Sequence, residues 1–271
     1  MAKATYKTAL EGIISDFQTD AIAETGQTLP PAVFLYQTTA RNSNYNTTDL
    51  GVQMAQLEVA LADDTVFMVG PVYPVNDSNN LHLTANGYRH WGAQLGKVMH
   101  RTLTLGQNWK PLHITSGSIK GRRILLTYQV PFPPLVLDQP WLQTDYEPGV
   151  SSGGGANSPF SSANQGFRVL TTTGVEQTIA SVVLVGENQV LITLADDADT
   201  TTYDYECWYA DGSDGRFGHG CIRDSDPALA DDIYEDFVSG SGVDERNWNY
   251  SGKRYPLWNW AVAQIVSLTE V

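Results

Sequence analysis

The residues best suited to chemistry sit in one stretch, Asn76-Asp77-Ser78-Asn79-Asn80-Leu81-His82-Leu83-Thr84. It follows a short apolar run and leads into a helical pattern. In open α/β sheets, sites form where the chain leaves the carboxyl end of a strand. An imidazole there titrates near neutral pH and can act as a general base once a neighbour orients its second ring nitrogen. Asp77 and Asn79 are near enough in sequence to His82 to take that part. The same residues also suit a helix-capping loop whose histidine merely packs, and on chemistry alone the two readings stand level.

Other candidates are weaker. Gly149-Val150-Ser151-Ser152-Gly153 has the letters of a nucleophile elbow, but that motif needs a buried strand before it and a helix after it. Here Asp145-Tyr146-Glu147-Pro148 precedes and more Gly and Ser follow, so the stretch reads as a loop. Asp211-Gly212-Ser213-Asp214-Gly215 and Asp224-Ser225-Asp226 place carboxylates on tight turns without the ligand spacing of a calcium loop, and turns are the favoured reading. No Cys/His grouping has zinc spacing, so neither a metal nor another cofactor is expected. Cys207 and Cys221 can pair or remain two buried thiols. His90, His100 and His113 read as packing or surface residues. Trp208, Tyr209, Trp248, Tyr250, Trp258 and Trp260 could stack on sugars, although core packing is the better expectation for aromatic residues in a β-rich region.

The elements that must position His82 alternate between helix and strand. Tyr6, Leu10, Ile13, Ile14 and Phe17 recur at helical spacing and predict an amphipathic opening helix. Ala32-Val33-Phe34-Leu35-Tyr36 and Thr65-Val66-Phe67-Met68-Val69 are continuous apolar runs, as expected of parallel strands buried on both faces. A helix over Gly51 to Ala62 joins them, and another runs from about Thr84 with Tyr88, Trp91, Leu95, Val98 and Met99 on one face. Two strands fall well short of the roughly five in a doubly wound sheet. The sheet is therefore expected to be completed by something else. Beyond residue 105 the pattern changes to β-branched and aromatic runs, among them 123–128, 166–170, 179–184, 189–194 and 202–205, which suggest a β-sandwich. The expected division is residues 1–105, an incomplete α/β domain, and 106–271, an all-β domain.

With 30 acidic against 16 basic residues, a formal charge of −14, the chain lacks the basic clusters that bind phosphate backbones, so no nucleic-acid partner is expected. No apolar run is long enough to span a membrane. The opening residues lack the features of a signal peptide. An extracellular or virion-associated location is expected, reached by another route than a signal peptide, and a cytoplasmic one stays open.

His82-Leu83-Thr84, followed by Gly87 and Gly92, resembles the last signature of the SGNH (GDSL-like) hydrolases. Gln53 and Gln56, leading into Asp64 to Val69, resemble the carbohydrate and sialate acetylesterase branch. The likeness covers roughly residues 5 to 103. It implies a partial three-layer, flavodoxin-like half-domain with His82 as the base that deprotonates a serine and a triad acid three residues earlier. Position 79 is Asn where the family has Asp. An Asn oxygen can fix a histidine tautomer but does not stabilise an imidazolium, and in a serine protease the equivalent change costs on the order of 10⁴ in turnover. Asp77 is the alternative orienter. The family's Gly-Asp-Ser nucleophile block has no counterpart here, so the resemblance implies a serine from a partner chain, an oligomeric assembly and an O-acetylated glycan as substrate. The competing expectation is a non-catalytic virion, tail or other structural protein that binds a receptor or glycan and carries an esterase remnant.

Overall fold

The structure is a computed structural model that describes residues 2–38, 50–75, 83, 85–138, 164–211, 220–235, 238–239, 242–243 and 252–271. Helix α1 (Lys3–Thr25) ends at Gly26, whose φ of 68° provides the left-handed cap that only glycine takes without strain. Strand β1 (Val33–Gln37), helix α2 (Gly51–Ala62) and strand β2 (Val66–Pro71) then form a βαβ unit in which β1 and β2 are parallel. Because successive side chains alternate faces, Val33, Leu35, Val66 and Met68 pack with Leu57, Val59 and Ile14 on one side. Phe34, Phe67 and Val69 face the other side, where Trp91, Leu95 and Val98 of helix α3 (Ala85–Met99) cover them. The result is three layers built on two strands. The expected strand–helix–strand–helix order holds, and among the described residues the sheet has two strands.

The two edges of this small sheet differ. On β2 the Met68 carbonyl points away from β1 and accepts a 2.8 Å hydrogen bond from the buried Trp109 indole. On β1 no further strand pairs among the described residues. The opening helix also departs from expectation. Of its apolar face only Ile14 is fully buried, while Ile13 and Phe17 are 68% and 54% exposed.

The remaining chain is mostly strand. Eight strands join in one sheet, in the order β7 (Glu176–Gln177), β6 (Phe167–Thr171), β10 (Tyr205–Tyr209), β16 (Gln264–Glu270), β3 (His113–Lys120), β4 (Arg123–Gln129), β9 (Gln189–Leu194), β8 (Ile179–Val185). Outside it, β5 (Val136–Leu137) pairs with β11 (Ile222–Arg223), β12 (Leu229–Ile233) with β15 (Arg254–Pro256), and β13 (Val238–Ser239) with β14 (Gly242–Val243). The expected sandwich has two separately bonded sheets. Here a single sheet curls so that Phe167 and Val169 near one end share a core with Ile192 and Val182 near the other. The strand expected at 202–205 lies instead at 205–209, because Thr202 and Tyr203 N–H donate to the Asp199 carbonyl and close a turn. Cys207 and Cys221 are both buried and unpaired, and burial pushes both thiols up.

One polar cluster joins α3 to this β-rich part. A π-helical turn (His100–Thr104) continues α3 and carries Arg101. Lys97 Nζ lies 3.0 Å from Asp226 Oδ2 and 2.8 Å from Asn259 Oδ1, and also donates to the Leu257 carbonyl. The Lys97 and Asp226 side chains are only 7% and 1% exposed. Arg101 reaches the same Asp226 oxygen at 3.4 Å and lies over the Phe132 ring. Asp224, fully buried, accepts from Phe132 N–H and from the Asn259 backbone and side chain. Two cations therefore balance two carboxylates, which is the condition under which buried charge is tolerated. Lys97→Met leaves the peripheral Arg101 as the remaining cation on Asp226 among the described residues. It is expected to destabilise the fold by about 3 kcal/mol, the scale for breaking a buried pair from one side, measured as a shift in the urea midpoint at unchanged slope.

Candidate active-site cleft

A small cleft of about 20 Å³ opens beside the carboxyl end of β2. Gly70 and Pro71 end the strand there, and Gly70 has a φ of 153°, a backbone conformation that L side chains rarely adopt. Pro74 and Val75 continue the same wall. The facing wall comes from α3 through His90, Trp91 and Gln94, and Trp258 and Trp260 from the C-terminal part close the side. A void of this size takes one water or one hydroxyl group. Among the described residues three indoles and no formally charged side chain line it, which is apolar surface with a few polar points.

The predicted site residues His82, Asn79 and Asp77 lie outside the described residues, as do Thr84 and the Gly149–Gly153 stretch with Ser151. What the structure describes is the frame on either side. Val75, which lines the cleft, immediately precedes the segment 76–82, and α3, which lines the opposite wall, begins three residues after His82. Nine residues, 76–84, thus connect two walls of one cleft in the sequence, and His82 is the seventh of them.

His90 has a structural part, as the sequence suggested. Its Nε2–H donates to the Pro256 carbonyl at 2.8 Å and its Nδ1 accepts from the Tyr234 hydroxyl at 3.1 Å, which fixes the tautomer. The ring stacks on Tyr255 at 5.1 Å with planes 5° apart. Burial holds its pKa down to about 4, the Pro256 contact opposes that shift, and Lys97 adds to it. His113 is likewise buried, with Nδ1–H on the Pro111 carbonyl, and burial lowers its pKa. His100 is exposed on the π-helical turn, and His219 lies outside the described residues.

Sequence reading missed Gln94 and the cluster behind it. Asp224 Oδ2 takes the Asn259 amide N–H at 2.7 Å, which turns Asn259 Oδ1 toward Lys97 and Gln94. Gln94 Nε2 donates to that oxygen at 2.9 Å. Its own amide oxygen is then left as a buried acceptor with no partner among the described residues. The sequence signal was present in Asp224-Ser225-Asp226, read as a turn. The turn forms, with Asp224 Oδ1 accepting Asp226 N–H and Asp226 Oδ1 accepting Ala228 N–H. The other carboxylate oxygens face inward. Lys97, also part of this assembly, has its pKa lowered to about 8 by burial, with Asp226 opposing the shift.

Of the aromatic candidates, Tyr209 and Trp260 are core residues, while Trp208 and Trp258 are half-buried. One face of Trp258 carries the Arg223 guanidinium at 3.7 Å. Trp248 and Tyr250 lie outside the described residues.

No protein-family model matches the chain, and no curated protein does. Among solved structures, a carbohydrate acetylesterase from Xanthomonas citri aligns with a TM-score of 0.49 at 14% identity, over 79% of this chain and 43% of that one. The chain thus spans less than half the length of that esterase. A likeness at this level assigns neither fold nor activity.

His90 gives a pH test. Its folded-state pKa of about 4 lies below the 6.5 of a free imidazole. Between those values the unfolded chain binds the extra proton, so stability falls as pH drops through that window. The loss attributable to His90 is on the order of 3 kcal/mol. Urea unfolding of the native protein and of His90→Gln at pH 7 and pH 4 should show a smaller acid-dependent loss in the variant. Equal losses would remove His90 from the account.

Proposed function

We propose that this chain supplies the general base of a carbohydrate O-acyl esterase whose serine nucleophile comes from another polypeptide. What supports this reading is the cleft at the carboxyl end of β2, lined by Val75 and by α3, because His82 lies in the sequence between Val75 and the start of α3. In the reaction, His82 takes the proton of the incoming serine as its oxygen attacks the acyl carbonyl. The imidazolium then returns that proton to the departing sugar oxygen, leaving an acyl-serine. Water, deprotonated by the same ring, releases the acid. Asp77 or Asn79 holds the other ring nitrogen, and Asp77 alone adds charge stabilisation to the imidazolium. The neutral, indole-rich lining suits a hydroxylated ligand better than an ionic one. Gln94, which lines the cleft, has a buried amide oxygen with no partner among the described residues.

A second reading has an observation of its own in Asn79, which replaces the acid that the triad requires. Under it the chain is a non-catalytic surface, virion or tail component that binds a glycan or receptor through the remnant of such a site.

Hydrolysis of an aryl acetate separates the two. The purified chain alone should be inert. Mixed with a polypeptide carrying a Gly-Asp-Ser strand, encoded beside it, the chain should gain activity that His82→Ala lowers by about 10³-fold, within the range of a lost general base. Activity of the isolated chain that Ser151→Ala abolishes would overturn the shared site. Complex formation without any hydrolysis would favour the remnant.

A further inference from the structure

We propose that the outer edge of β1, together with the exposed flank of α1, is the docking surface for a hetero-partner that adds an extended segment to the sheet. This deepens the reading above by locating the second polypeptide and stating its chemistry.

The edge is defined by the backbone. Val33 N–H donates to the Thr65 carbonyl at 2.9 Å, and Val72 N–H donates to the Gln37 carbonyl at 3.1 Å. Odd-numbered residues of β1 therefore turn their peptide groups toward β2, and Phe34 and Tyr36 turn theirs outward. No described residue bonds those outward N–H and C=O groups. Such an edge is a template for a further strand.

Apolar surface lies beyond the edge on both faces. On a helical wheel Ile13 and Phe17 fall to one side of the Leu10–Ile14 face that packs on the sheet. Lys7 and Gln18, which bond Glu58 of α2 and Thr65 before β2, fall to the other side. On the Ile13 side the bare part is thus the stretch from Ile13 to Phe17, beyond Tyr6, whose hydroxyl on the same side accepts from Gln56 of α2 at 3.2 Å. On the opposite face, Tyr36 is 49% exposed and meets Trp91 edge-on at 6.0 Å. A segment laid against β1 between these surfaces must be apolar on both of its faces, as β1 and β2 are.

Charge decides between a hetero-partner and a second copy. Asp16, Asp20 and Glu24 are exposed on α1 and border the Ile13–Phe17 stripe, and the whole chain carries −14. Two copies would set acid against acid, whereas basic residues flanking an apolar strand would complement this rim.

The test uses a synthetic ten-residue peptide, six alternating valines and isoleucines between paired lysines, titrated into the intact chain while amide hydrogen exchange is followed. Exchange at Phe34 and Tyr36 should slow at least tenfold, with little change at Leu35. The double variant Ile13→Glu/Phe17→Glu should lose the effect while its thermal midpoint stays unchanged, since both side chains are exposed. A matched peptide with glutamates in place of lysines should bind at least tenfold more weakly. Unchanged exchange at Phe34 and Tyr36 would overturn the proposal. So would slowing of the same two amides by self-association without peptide, detected by sedimentation. Peptide docking at β1 together with failure to gain esterase activity would sink the catalytic reading and leave this surface standing.

Discussion

Everything near the cleft depends on two carboxylates held out of water. Asp224 and Asp226 are stable inside the protein because Lys97, Arg101, Asn259 and several backbone N–H groups meet them there. The cations come from α3 and its π-helical continuation, and Asn259 comes from the C-terminal segment. The cluster therefore fixes the azimuth of α3 against the C-terminal segment, and α3 forms one wall of the cleft while that segment forms another. Hydrophobic contact alone is non-directional and would tolerate sliding of the helix. Buried ionic hydrogen bonds are intolerant of displacement, since any shift leaves a charge without solvent or partner.

That rigidity has a local consequence for Gln94. With Asn259 oriented by Asp224, the Gln94 amide has no freedom to flip, and its oxygen stays an unmet acceptor at the cleft wall. A buried orphan acceptor typically costs about 1–3 kcal/mol. A core that merely filled space would place leucine or methionine there. Beside it, His90 is kept neutral by burial, locked by Tyr234 and Pro256 and stacked on Tyr255, so it contributes shape without charge. Among the described residues, the cleft is thus built from stiff, neutral parts.

Much of the α/β part was legible from sequence because both of its periodicities are strong. The apolar runs at β1 and β2 and the span of α2 emerge with ends shifted by at most two residues. Four of the β-strands were likewise visible as β-branched runs. The eight-stranded ladder was not, since β16 comes from the far end of the chain and pairs between β10 and β3, a long-range contact with no local signature. The inward turn of Asp224 and Asp226 was also hidden. Local sequence shows the Asx turn, but only tertiary structure reveals which carboxylate oxygens meet Lys97 and Asn259. Ile13 and Phe17 show the converse case, where a correct amphipathic pattern describes a face wider than this chain itself covers.

The indole of Trp109 has an implication for how such a molecule associates. A sheet open on both sides can stack head to tail without limit, as fibrils do. Here the Trp109 indole occupies the Met68 carbonyl on one margin, so a strand added on that side would have to displace it to pair with Met68. The two margins are therefore unequal, since one already has a backbone acceptor engaged by an indole and the other has no such cap among the described residues.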